Sequence, residues 1–119
     1  MRILLVDDEQ ELVSTLAERL SMRGIDADWA CSGEEALEKA GRQNYDLAVL
    51  DVKMPRISGL EVKAEMEMIQ PELRYIFMTG HGSANDFYSG SSDAKTVGYL
   101  IKPVNIDILI GKIKEALSG

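Results

Sequence analysis

A chain of 119 residues has the length of one domain, and a composition of 45% hydrophobic and 28% charged residues can bury a core without disulfide or metal staples. The formal net charge of −7 argues against a nonspecific grip on nucleic acid or anionic lipid, and leaves a basic protein partner or a cation as compatible ligands. A lone cysteine, Cys31, excludes an intrachain disulfide and fits a cytoplasmic setting as a small packing residue, and no run of about 18 apolar residues is present to span a membrane.

The first element is the apolar run Ile3 to Val6, which ends in three acids, Asp7, Asp8 and Glu9. A short, bounded run of this kind reads as a fully buried parallel strand. Leu12, Val13, Leu16 and Leu20 then recur at helical spacing, and Gly24 closes that helix as its C′ residue. Ala27 to Ala30 is a second strand. Ser32 with Glu35 three residues later has the pattern of a capping box, and a short helix follows through Ala36, Leu37 and Ala40. Leu47 to Leu50 is the next apolar run, ending in Asp51. After a loop with Met54, Pro55 and Gly59, a helix is expected over Leu60 to Met68, and Leu73 to Met78 is a strand ending at Thr79. The stretch Gly82 to Val97 is rich in glycine and serine, which disfavour helices, so a fourth helix here is expected to be short or mobile. Tyr99 to Ile101 is a strand ending at Lys102-Pro103, and Asn105 caps a last helix with Ile106, Leu109, Ile110, Ile113 and Leu117 on one face. Strand and helix thus alternate five times. This predicts an α/β fold: one parallel sheet, helices on both faces, right-handed crossovers, and a single domain over residues 1–119.

The chemistry-bearing residues stand at the carboxyl ends of the strands. The first offers Asp7 and Asp8, the third Asp51, the fourth Thr79 and the fifth Lys102. Ligands of open α/β sheets bind outside these ends, where the strand order reverses. Three carboxylates in one pocket repel, by about 4 kcal/mol per pair at 4 Å and an effective dielectric of 20, so they call for Lys102 and a divalent cation. Hard oxygen ligands select Mg2+, Mn2+ or Ca2+ over zinc, and Mg2+ suits a site with few carboxylates and phosphate oxygens. Such a pocket suits phosphoryl transfer to a carboxylate nucleophile, with the Thr79 hydroxyl donating a hydrogen bond to the new phosphate. Each of these residues alone has a bland reading as a cap, a solvated side chain or packing; their joint order along the strand ends is the informative feature.

With these residues in place, the chain resembles the receiver domain of two-component response regulators over its whole length. The acid pair matches Asp7 and Asp8; the phosphoacceptor matches Asp51; the loop motif matches Met54, Pro55 and Gly59; the hydroxyl, the switch aromatic and the Lys-Pro pair match Thr79, Tyr99, Lys102 and Pro103. The resemblance implies a flavodoxin-like, doubly wound sheet of five strands in the order 2-1-3-4-5 with five helices. It implies that Asp51 accepts a phosphoryl group from a histidine kinase or phosphotransfer protein. Mg2+, with Mn2+ as the alternative, would be held by Asp8, Asp51 and the Lys53 backbone carbonyl, with Asp7 acting largely through water. The peptide bond before Pro103 would be cis, and Thr79 and Tyr99 would couple phosphorylation to the face of the fourth helix, fifth strand and last helix. Implied partners are a linked or separate output domain and a second copy in a phosphorylation-linked homodimer, with no direct nucleic-acid contact and no membrane. Lys53 and His81, each two positions beyond a site residue, would tune the lifetime of the phosphate. The sequence departs from the family at Ser92-Asp93-Ala94-Lys95-Thr96-Val97, where many members carry a Gly-Ala step.

Two other classes compete. An aspartate-nucleophile phosphohydrolase commonly pairs its nucleophile with an acid two residues later, where this chain has Lys53. A phosphate-independent interaction domain would have no use for the intact set of Asp7, Asp8, Asp51, Thr79 and Lys102. A nucleotide-binding domain is weaker still, because no glycine-rich loop follows the first strand. The expected domain is a regulatory phosphoacceptor that catalyses only its own phosphorylation and dephosphorylation.

Overall fold

The computed structural model describes residues 1–80 and 95–118. They form β1 (Arg2–Val6), α1 (Gln10–Met22), β2 (Asp26–Ala30), α2 (Gly33–Arg42), β3 (Leu47–Asp51), α3 (Gly59–Ile69), β4 (Arg74–Thr79), β5 (Thr96–Ile101) and α4 (Ile106–Ser118). The five strands make one parallel sheet in the order β2-β1-β3-β4-β5. Successive side chains of a strand face opposite sides, so the continuous apolar runs supply two cores at once. Ile3, Leu5, Leu47, Val49, Ile76 and Met78 pack with residues of α1 and α4; Leu4, Val6, Ala48, Leu50, Tyr75 and Phe77 pack with residues of α2 and α3.

Local chemistry fixes the helix ends. Gly24, at φ 82°, closes α1 with Gly24 N–H donating to Ser21 O (3.0 Å) and Ile25 N–H to Leu20 O (2.9 Å), the paired bonds of a Schellman cap. The Ser32 hydroxyl accepts from Glu35 N–H at 3.1 Å. The Glu35 carboxylate reaches back one residue beyond the cap, to Cys31 N–H at 2.7 Å. A full reciprocal box starts α3, where Ser58 and Glu61 each accept from the other's backbone N–H. Asn105 Oδ1 accepts from the N–H groups of Asp107 (2.8 Å) and Ile108 (3.1 Å) and so starts α4.

One boundary differs from expectation. β5 begins at Thr96, so Thr96 and Val97, expected in a helix, lie in a strand. Both are β-branched and favour extended backbone. Thr96 stands opposite Tyr75, and the ladder continues upstream as Tyr75 N–H donates to Lys95 O at 2.8 Å. The rest of the expected fourth helix, and His81, fall on residues 81–94, outside the described residues. Among the described residues no helix is long and apolar enough to cross a membrane.

Candidate functional site

The strand order reverses at β1, whose neighbours are β2 and β3, and the acids stand at the carboxyl ends of β1 and β3. Asp7 and Asp51 are buried there while Asp8 is exposed, and the three offer carboxylate oxygens all within 4.8 Å of one another. Lys102 follows β5, and its backbone N–H donates to Thr79 O at 2.9 Å, which ties the β5 exit to the end of β4. The Lys102-Pro103 peptide is cis. The Lys102 ammonium lies 2.7 Å from Asp7 Oδ2, 3.1 Å from Asp51 Oδ2 and 3.6 Å from Glu9 Oε1.

Backbone donors hold the two buried acids. Asp7 Oδ1 accepts from Glu9 N–H at 2.9 Å, and Asp51 Oδ1 accepts from Lys53 N–H at 3.3 Å. The loop after Asp51 is drawn back by Gly59 N–H, which donates to Val52 O at 2.9 Å. A Cβ on Gly59 would stand 2.2 Å from the Asp51 carbonyl oxygen, so a side chain at that position would push the backbone of Asp51 out of place. The same loop carries Arg56 at φ 68°, with its Nε 2.8 Å from Glu34 Oε2.

The electrostatics follow from crowding. Burial, then the charge of Asp7, pushes the Asp51 carboxyl up to about 6, against the opposing pull of Lys102. Burial acts on Lys102 to lower its pKa, but its hydrogen bonds and attraction to Asp7 and Asp51 outweigh that, and the ammonium is held above its ordinary range. Lys102 is therefore a fixed positive charge, while the carboxylates around it outnumber it. Three carboxylates of mixed burial are a hard, oxygen-only donor set suited to a small divalent cation of the Mg2+ type. Thr79 ends β4, one residue beyond the Asp51 partner Met78. Its buried hydroxyl has no hydrogen-bond partner among the described residues. A buried, unpaired hydroxyl costs about 1–3 kcal/mol, so the site keeps a donor in reserve.

Of the residues singled out in the sequence, Asp7, Asp8, Asp51 and Lys102 converge on one pocket. Thr79 ends the strand beside Asp51. Tyr99 lies on β5, half-buried, with its ring stacked on Phe77 at a centroid distance of 6.4 Å. The Lys53 side chain is exposed, and its backbone N–H is the one engaged with Asp51. Glu9 is the residue that sequence reasoning passes over. Its only sequence signal is a third acid directly after the pair.

The family model described as response regulator receiver domain matches residues 3–114. Response regulator MprA of Mycobacterium leprae (strain TN) is 37% identical over 117 residues, 98% of this chain and 51% of that protein. Transcriptional regulatory protein GlrR of Escherichia coli (strain K12) is 35% identical over 115 residues, 97% of this chain and 26% of that protein. The chain thus spans between about a quarter and a half of the length of these relatives. Among solved structures, response regulator protein TrrA of Thermotoga maritima, crystallised in complex with Mg2+-BeF, superposes with a TM-score of 0.82 at 40% identity over 98% of both chains.

Proposed function

The chain belongs to the response regulator receiver domain family and serves phosphorylation-dependent signalling, and from that premise we propose that Asp51 is its phosphoacceptor. The observation that carries the assignment is the Lys102 ammonium held between the buried Asp7 and Asp51 carboxylates, with Asp8 in reach of both. Asp51, the last residue of the central strand β3, has an ammonium on one oxygen and a backbone N–H on the other, as Asp7 after β1 also has; Asp51 is the one that stands at the phosphoacceptor position of the family resemblance. That fixes a carboxylate in one orientation, which is what a nucleophile in phosphoryl transfer needs.

Asp8 and Asp51 would hold Mg2+, with Mn2+ as the alternative, the Lys53 backbone carbonyl completing the set and Asp7 acting through water. When bound, the cation would supply positive charge to the transferring phosphoryl oxygens. Lys102 neutralises a phosphoryl oxygen from the other side. Thr79 donates its spare hydroxyl hydrogen to the phosphate, a bond that exists only in the phosphorylated state and is worth about 1.5–3 kcal/mol. That gain is the free energy available to bias Tyr99 and the β5–α4 surface towards a second arrangement. The domain catalyses its own phosphorylation and dephosphorylation and has no external substrate to turn over. Its partners are a histidine kinase or phosphotransfer protein, an output domain in the same or a separate chain, and a second copy when phosphorylated. The greater length of MprA and GlrR supports the presence of an output domain.

The test is incubation with acetyl phosphate and Mg2+ followed by intact-mass measurement. Wild type should gain one phosphoryl group and Asp51→Asn none. An unlabelled wild type, or a variant labelled as fully as wild type, would dismiss the assignment. Slow turnover of an added phosphoester in place of stable labelling would revive the phosphohydrolase reading.

A further inference from the structure

We infer that Glu9 is a charge filter at the mouth of the site, a specificity residue that disfavours phosphoryl donors arriving as free dianions; this rests on the phosphoacceptor reading above. Glu9 occupies the N-cap position of α1, yet its side chain makes no capping hydrogen bond. Its own backbone N–H is taken by Asp7 Oδ1. The carboxylate is therefore not spent on starting the helix, and it stands 3.6 Å from Lys102 Nζ.

The three carboxylates around Lys102 differ in depth. The side chains of Asp7 and Asp51 are 0% and 6% exposed, and that of Glu9 is 65% exposed. The ammonium is thus gripped from within by two buried acids and from the solvent side by Glu9. In the transfer, an Asp51 carboxylate oxygen bonds to phosphorus while the bond from phosphorus to the donor's leaving atom breaks: oxygen in acetyl phosphate, nitrogen in phosphoramidate, which leaves as ammonia with a proton taken up by that nitrogen. With acetyl phosphate, acetate departs with the electron pair, and no proton is taken up or released. The incoming group has to use the ammonium that Glu9 already engages from the solvent side. Glu9 therefore repels the donor and competes for the charge that would neutralise it. A protein donor offsets this repulsion with contacts of its own, which a free small anion lacks.

The repulsion grows with donor charge and is screened by salt, since the Debye length falls from about 10 Å at 0.1 M to about 3 Å at 1 M. The experiment measures the second-order rate constant for Asp51 labelling of the 119-residue chain with saturating Mg2+. Wild type, Glu9→Gln and Glu9→Lys are compared at low and high salt, with acetyl phosphate and with the less charged phosphoramidate. Glu9→Gln should raise the acetyl phosphate rate about 3- to 10-fold at low salt, and Glu9→Lys more, with the gain shrinking to under about 2-fold at high salt and smaller for phosphoramidate. A slower Glu9→Gln, which would make Glu9 a prop for Lys102, overturns the inference. So does a rate unchanged at both salts while wild type is labelled on Asp51. Failure of wild type to take any label overturns the phosphoacceptor reading and this one together.

Discussion

Two polar clusters at opposite ends of the sheet treat their groups in opposite ways. Near the amino ends of the strands, the buried Gln70 side chain satisfies three backbone groups: its Nε2 donates to Ala40 O (2.8 Å) and Gln43 O (2.7 Å), and its Oε1 accepts from Tyr45 N–H (3.0 Å). The Tyr45 hydroxyl in turn donates to Asp28 at 2.8 Å, and burial, followed by that bond, pushes it up to about 12. At the carboxyl ends, carboxylates outnumber the single ammonium they surround, Asp51 is pushed up to about 6, and the Thr79 hydroxyl is unpaired among the described residues. The Gln70 cluster is closed and satisfied, although the Thr96 hydroxyl at the start of β5 is buried without a hydrogen-bond partner among the described residues; the cluster at the carboxyl ends carries electrostatic strain that a cation and a phosphoryl group would relieve. Unsatisfied polar groups in a buried place are costly, and they persist where binding is the compensation.

The sharpest way to break this comparison is at the satisfied end. Gln70→Ala should destabilise the protein by about 2–4 kcal/mol, because two buried backbone groups and the part-buried Gln43 carbonyl lose their partners. Urea unfolding would read the loss, and labelling of the molecules that remain folded should be unchanged. A loss under about 1 kcal/mol would mean that the two ends do not differ in this respect.

At the strained end the sign reverses. Asp51 has a folded pKa of about 6 against an ordinary value of 3.8, so its neutral form is favoured by folding. Its contribution is fully present below pH 4 and is lost as pH rises through 6, a swing on the order of 3 kcal/mol at 1.36 kcal/mol per unit. This contribution to the metal-free protein should therefore fall between pH 4 and 7. Asp51→Asn should flatten that slope and be the more stable form at pH 7, with Lys102 keeping its contact to Asp7. Thermal unfolding across pH in the presence of a chelator measures this, and saturating Mg2+ should restore the wild type through binding to the folded state alone. Equal slopes for the two proteins would show that Asp51 carries no strain.

The smallest expected effect is at Thr79. Replacing a buried hydroxyl that has no partner by an apolar group of the same shape relieves its desolvation penalty, so Thr79→Val should be more stable than wild type by about 1–3 kcal/mol and unfold at a higher urea concentration. Its cost should appear only after phosphorylation, as a smaller change in the Tyr99 environment monitored by NMR. A loss of several kcal/mol in the unphosphorylated variant would count against a hydroxyl held in reserve.

Much of this was legible in the chain itself, because it depends on neighbours in sequence. The runs Ile3 to Val6 and Leu47 to Leu50 could only be buried strands, and the acids that end them had to emerge at one edge. Ser32, Asn105 and Gly24 announced helix ends through bonds spanning a few residues. The capping pattern Ser58 to Glu61 was equally local, and would have started α3 one residue earlier than its first apolar side chain suggested. Other features depend on residues that folding alone brings together. β5 starts at Thr96 because Tyr75 is there to pair with it. The raised pKa of Asp51 needs the buried Asp7 beside it, and the pull of Glu9 on Lys102 needs residues from near opposite ends of the chain to meet above the sheet. Periodicity and caps are short-range and can be read from sequence; desolvation and charge coupling are set by distances through space, which only the tertiary fold decides.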